Sequence, residues 1–151
     1  VGLVAHRAAT ALAKWTARQF SAALSKLVQV PSQIAPAVAK KIKRDLNYRF
    51  DAGIDPYGKP WAPLRPATIA KGRHPPPLTD THAGRDSVVV VPVKDAGVQI
   101  SVGVAYMGIH QAGDPPRMVA RRFLPVSRLP QAWRDIWELE LIRGVRKKLS
   151  K

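Results

Sequence analysis

Over the first fifty residues, apolar positions recur every three to five steps. Leu3, Val4, Ala8, Leu12, Trp15, Phe20, Leu24 and Val28 form one stripe, which predicts an amphipathic helix over residues 3–28. Pro31 is expected to end it. Ser32 is expected to cap a second helix, with Pro36 inside its first turns. Ala37, Val38, Ile42, Leu46 and Phe50 then recur at helical spacing, and Lys40, Lys41, Lys43 and Arg44 fill the other face. Gly53 stops that helix.

The pattern changes at residues 53–80, where Pro and Gly punctuate heavily and a long loop is expected, with one helical turn at Pro66–Lys71. Pro75, Pro76 and Pro77 favour extended polyproline geometry. Two β-branched runs follow. Ser87–Val93 is continuous, whereas Val98, Ile100, Val102 and Val104 alternate with Gln99, Ser101 and Gly103. With a turn at Lys94–Gly97 they predict a hairpin whose second strand has one buried face. Pro92 places the first strand at a sheet edge or a bulge.

Ala105–Gly113 reads as a short helix broken by Asp114-Pro115-Pro116. Arg122–Val126 is short and apolar. Pro130 suits the first turn of a final helix, along which Trp133, Ile136, Trp137, Leu141, Val145 and Leu149 line one side. The expected fold is α+β: a small antiparallel sheet packed against N-terminal and C-terminal helices, with a long Pro-rich loop. The expected division is an amphipathic helix at residues 1–30 and one domain at residues 31–151.

Charge sharpens this picture. The chain has 151 residues and a formal net charge of +15, from 25 Lys and Arg against 10 Asp and Glu. Residues 1–50 hold nine bases and one acid, residues 51–110 six and five, residues 111–151 ten and four. The excess therefore sits at the two helical ends and favours anionic partners. Lys40, Lys41, Lys43, Arg44, Arg143, Arg146, Lys147 and Lys148 are the candidates for meeting DNA or acidic protein. No helix-turn-helix, zinc-finger or RNP signature accompanies them, so any nucleic-acid contact is expected to be non-specific.

The chain contains no cysteine, which removes disulfides, thiolate metal sites and cysteine nucleophiles. No apolar run reaches the ~20 residues that span a bilayer, and Arg7 and Lys14 interrupt the N-terminal stretch, so no membrane role and use in a cytoplasm are expected. His6, His74, His82 and His110 show no metal-binding spacing. Asp80, His82 and Ser87 lack the surroundings of a nucleophile triad and read better as a polar loop before a strand. Neither a catalytic set nor a cofactor motif emerges, and the chain is expected not to be an enzyme. Trp61, alone among the four tryptophans, sits in a Pro/Gly loop, where it either pins that loop to the core, the favoured expectation, or anchors a partner.

Four ordered segments form one larger pattern: Asp55-Pro-Tyr-Gly-Lys-Pro-Trp-Ala-Pro-Leu64 followed by Thr68, then Leu78-Thr-Asp-Thr-His-Ala-Gly-Arg-Asp-Ser87, Tyr106-Met-Gly-Ile-His-Gln-Ala-Gly113, and Ala120-Arg-Arg-Phe-Leu124. Their order and spacing resemble the phage virion morphogenesis and tail-completion family, the Mu-like protein G group. Such chains often carry Thr-Gly where this one has Thr81-His82, and Arg-Pro-Phe-Leu-Gly where it has Arg121-Arg122-Phe123-Leu124-Pro125.

The resemblance implies a structural component of a phage neck or proximal tail, in the virion and, during assembly, in the host cytoplasm. It implies a homo-oligomeric ring, expected to be sixfold, that completes the tail or joins it to the head. The implied partners are portal-side connectors, a tail terminator or tail-tube proteins, with contact to genomic DNA. The alternative is a non-specific DNA-binding basic protein. Asp55, Gly58, Pro60, Trp61, Leu64, Tyr106, His110, Gln111, Gly113, Arg121, Phe123 and Leu124 are the motif and interface candidates. Tyr106, His110 and Gln111 are expected to form a buried polar network joining the hairpin to the 53–80 loop, with a ring contact through His110 and Gln111 as the alternative.

Overall fold

The computed structural model describes residues 17–94 and 97–150, without the side chains of Ala17 and Phe20. Leu3, Val4, Ala8, Leu12, Trp15 and the middle of the 94–97 turn lie outside the described residues.

The N-terminal helical region is two helices, α1 (Ala17–Val28) and α2 (Val30–Ala52). The break falls at Gln29, not at Pro31. Pro31 sits in the first turn of α2, where a missing N–H costs nothing. Ser32 does not cap. Its hydroxyl donates to the carbonyl of Gln29 at 2.9 Å, and α2 has no side-chain cap. Gly53 ends α2 as expected, in the left-handed region at φ 66°, where its N–H and that of Ile54 return to Phe50 and Arg49 carbonyls.

Helix α2 is the spine of the core. Val30, Ile34, Ala35, Val38, Ala39, Ile42, Leu46 and Phe50 are buried along it. Ala37, expected on this stripe, is exposed, because Ala35 and Ala39 take the inner positions. Full burial of Ile42, Leu46 and Phe50 contributes about 1.5–3 kcal/mol per side chain.

Antiparallel strands β1 (Val88–Val93) and β2 (Gly97–Val102) form the only sheet among the described residues, with Val88 opposite Val102 and Pro92 opposite Val98. There is no bulge, so Pro92 is an edge proline. The second strand alternates as expected, with Val98, Ile100 and Val102 half-buried between exposed Gln99 and Ser101. The hairpin packs on α2, which also carries the last helix, α6 (Gln131–Leu149). The α+β expectation therefore holds.

Between these elements run α3 (Pro66–Ile69), α4 (Ala83–Asp86) and α5 (Tyr106–Ala112). The Pro75–Pro77 run is not extended polyproline: it forms bends and a turn and contains a cis peptide bond between Pro75 and Pro76.

Helix α6 corrects its predicted stripe. Trp133 is buried and Ile136, Trp137 and Val145 are half-buried, but Leu141 and Leu149 are 42% and 53% exposed. Glu140 and Gly144 face α2 instead. A Cβ at Gly144 would lie 2.6 Å from Val30 Cγ1 and 2.9 Å from Ile34 Cγ2, so only glycine lets the helices approach this closely.

Candidate functional site

Asp55 shapes the loop that leaves α2. Its Oδ1 accepts the backbone N–H groups of Tyr57 and Lys59, both at 2.8 Å, while its own N–H donates to the Lys59 carbonyl at 2.8 Å. Gly58 supplies the positive φ of 88° at the tip, and Pro60 closes the loop opposite Ile54. The loop is tied down at several points. Arg49 donates to the Asp55 carbonyl at 2.9 Å, and the Tyr57 hydroxyl donates to the Arg128 carbonyl at 3.0 Å. Buried Trp61 meets Phe50 edge-on at 5.5 Å, and its indole N–H donates to the Arg122 carbonyl at 2.8 Å. Trp61 thus pins the loop, as expected.

The motif residues after the hairpin meet this loop from the other side. Gln111 Oε1 accepts from the N–H groups of Phe123 and Leu124, and its Nε2 donates to the Leu124 carbonyl, all at 3.0 Å. One amide thereby holds a stretch that has no sheet partner of its own. Arg121, 8% exposed, donates to the carbonyls of Ala62 and Pro63, both at 3.1 Å. Burial, and secondarily Arg65, lower its pKa. Buried Phe123 stacks on Phe50 at 5.5 Å, and Gly113 lies against Ala120. The polar network therefore joins α5, residues 120–124 and the 61–63 loop. Among the described residues the hairpin and the side chains of Tyr106 and His110, all expected as members, are not in it; of the three expected side chains only Gln111 is.

Tyr106 and His110 stand edge to face at 6.0 Å beside a cleft of about 430 Å³ that Leu64, Thr68 and Leu78 also line. Burial, then the nearby Arg121 charge, push the His110 pKa below its ordinary 6.5. Its Nδ1 is buried without a partner among the described residues. Asp80 pairs with Arg73, and the Ser87 hydroxyl donates to the Gly84 carbonyl at 2.8 Å. Among the described residues no cluster of His, Asp or Glu is placed to hold a metal, and no helix is long and apolar enough to cross a membrane.

The basic candidates divide into two kinds. Lys40, Arg44, Arg143, Arg146 and Lys147 are exposed. Lys41 and Lys43 are half-buried rather than on a free face: Lys41 donates to Glu140 at 2.6 Å and Lys43 to the Arg85 carbonyl at 3.0 Å. Half-buried Lys148 lies beside Lys147 at the end of α6.

A model of the phage virion morphogenesis family matches residues 14–134, a span that contains all four motif segments. The chain belongs to the phage virion morphogenesis family. No curated protein and no solved structure gives a match. In this family member Asp55, Trp61, Gln111, Arg121 and Phe123 serve packing and backbone satisfaction. Trp61 and Arg121, with Tyr57, lock the 53–64 loop to the 120–128 segment around Phe50.

Several organising residues of this virion morphogenesis protein were not among the candidates. Asp45 Oδ2 accepts from Arg49 Nε at 2.6 Å and from the Trp133 indole at 2.7 Å, so it ties the loop anchor to α6. Its signal was present: it is the single acid in the first fifty residues and stands one turn before Arg49. Glu140, 8% exposed, carries a lowered pKa because Lys41 hydrogen-bonds it, with Arg143 adding to the effect. Nothing local marked Glu140 as buried, since Lys41 comes from far along the chain.

Proposed function

We propose that this chain is a structural, non-enzymatic subunit of a tailed-phage neck or proximal tail, of the Mu-like protein G type. Copies close into a ring, sixfold in the simplest case, that completes the tail or joins it to the head. The partners are portal-side connectors, a tail terminator or tail-tube proteins, and the genome passes nearby. The observation that carries this reading is the family match, together with the use of motif residues Trp61 and Arg121 for packing and backbone hydrogen bonding within the chain.

The hairpin is the surface suited to contact between copies. On a chain of charge +15, residues 88–102 carry only Lys94 and Asp95, so copies meet there with little repulsion. Val89, Val91 and Val93 expose 49%, 41% and 38% of their surface. The Gly103 N–H donates to the Ser87 carbonyl, which sets the alternation of the ladder. Val98, Ile100 and Val102 therefore turn their backbone groups to the free edge of β2. The corresponding edge of β1 contains Pro92. In this reading the exposed loop stretch at residues 69–75 of one subunit reaches the β2 edge of the next, a head-to-tail contact of the kind that closes rings.

Native mass spectrometry of the purified chain, and a particle map by cryo-microscopy, test this. Val98→Pro removes an outward N–H without breaking the hairpin and is expected to give folded monomers. Particles that lack the chain, or a Val98→Pro variant that still forms rings, refute the respective parts. The second reading, a free non-specific DNA-binding protein, draws on exposed Lys40 and Arg44, one helical turn apart. Submicromolar binding with a steep salt dependence in a gel-shift titration, without ring formation, favours it.

A further inference from the structure

Between α2 and α6 lies a groove of about 370 Å³ whose chemistry is divided. Exposed Ala37 and half-buried Gly144, with buried Val30 and Ile34 beneath them, make an apolar floor; Gln33 stands on the α2 side, and Arg143, Lys147 and Lys148 stand along the α6 side. Gly144 lets Val30 and Ile34 close up against α6, so the two helices meet at the floor. At one end Glu140 is already shared between Lys41 at 2.6 Å and Arg143 at 2.8 Å. Lys147 and half-buried Lys148 form no ion pair with any described residue. Residues 1–16 contain no Asp or Glu and bring no carboxylate to them.

We infer that this groove docks an acidic segment of another protein, one that places an apolar side chain on the floor and carboxylates against Lys147 and Lys148. The inference rests on the reading of the chain as an assembly subunit and names the chemistry of one partner. A second copy is a poor occupant. The chain's densest acidic stretch, Asp135, Glu138 and Glu140, is on α6 itself; Asp51 and Asp55 stand four residues apart, but Asp51 is paired with Arg85 and Asp55 is taken up by the backbone of its own loop. Nucleic acid matches the cations but leaves the floor unused, since phosphates track charge alone. A peptide uses both halves, the apolar contact for hold and the charge for steering.

Fluorescence anisotropy with the full chain tests this, using a labelled peptide in which a leucine pair is flanked by glutamates. The wild type is expected to bind it. Ala37→Glu, which puts a negative charge on the floor at an exposed helical position, and Lys147→Glu should each weaken binding about tenfold. Circular dichroism verifies that both variants keep the wild-type fold. A peptide with serines in place of the leucines should also bind about tenfold more weakly. Equal binding of the two peptides, unchanged affinity in Ala37→Glu, or displacement of the peptide by an equal concentration of random-sequence duplex DNA overturns the inference. Ring formation is read separately by native mass spectrometry, so rings without peptide binding overturn the groove alone.

Discussion

Gln111 offers a sharp test of how the motif residues work. Its amide makes three hydrogen bonds to the backbone of Phe123 and Leu124. Gln111→Leu keeps the approximate volume and removes all three. At about 0.5–1.5 kcal/mol net for each bond, the loss is about 3 kcal/mol. Leucine returns about 1 kcal/mol through its greater apolar burial at this half-buried site. The hydrogen bonds win, and the expected net destabilisation is about 2 kcal/mol, or about 4–8 °C in melting temperature for a chain of this size. Gln111→Glu keeps both acceptor contacts and loses only the donor, so it should fall between. Thermal melting followed by circular dichroism gives the ordering. Hydrogen exchange at the Phe123 and Leu124 amides locates it, because those two should lose protection before the rest of the core. A Gln111→Leu protein that melts with the wild type and keeps those amides protected refutes the view that this side chain replaces a missing strand partner.

Gly144→Ala, normally stabilising inside a helix by about 1 kcal/mol, should destabilise here by about 1–3 kcal/mol, because its methyl would meet Val30 and Ile34; a denaturant midpoint decides the sign. His110 should make the fold acid-sensitive: the unfolded chain takes up its proton near pH 6.5 while the folded site resists until lower pH, so stability present above pH 6.5 is lost as pH falls below it. Melting temperatures measured across that range should depend less on pH in His110→Gln. Arg121→Lys keeps the charge but cannot reach both the Ala62 and Pro63 carbonyls in the same fork; it should lower stability by about 1–2 kcal/mol and raise protease cleavage between residues 62 and 75, and a wild-type digestion pattern would count against the clamp.

Much of this architecture was legible from local signals. The α2 stripe is long and regular, and few chain segments compete for its inner face. Val98, Ile100 and Val102 announce a half-buried strand through strict alternation, and Gly53 stands where only a left-handed residue ends the helix well. The misreadings share a different cause. On α6 two stripes overlap, and the choice between them depends on Gly144 admitting α2 closely and on Lys41 neutralising Glu140 from 99 positions away. Neither is visible within a helical window. Pro31 and Ser32 misplaced the first break because proline in a first turn and proline after a last turn look alike in sequence. Chain order points the polar network at the hairpin, because Tyr106 to Gln111 follow it directly, whereas the partners of Gln111, Phe123 and Leu124, come later in the chain.

Pro92 has a consequence beyond the hairpin. A two-stranded ribbon with both flanks available is a template for indefinite stacking, each molecule recruiting the next. Here one flank lacks a donor where a recruit would need it, so a ribbon that has accepted one neighbour offers no equal second seat. Replacing this residue with valine would give the molecule two equivalent sides, and with them a route to fibrous precipitate in place of a finite particle part.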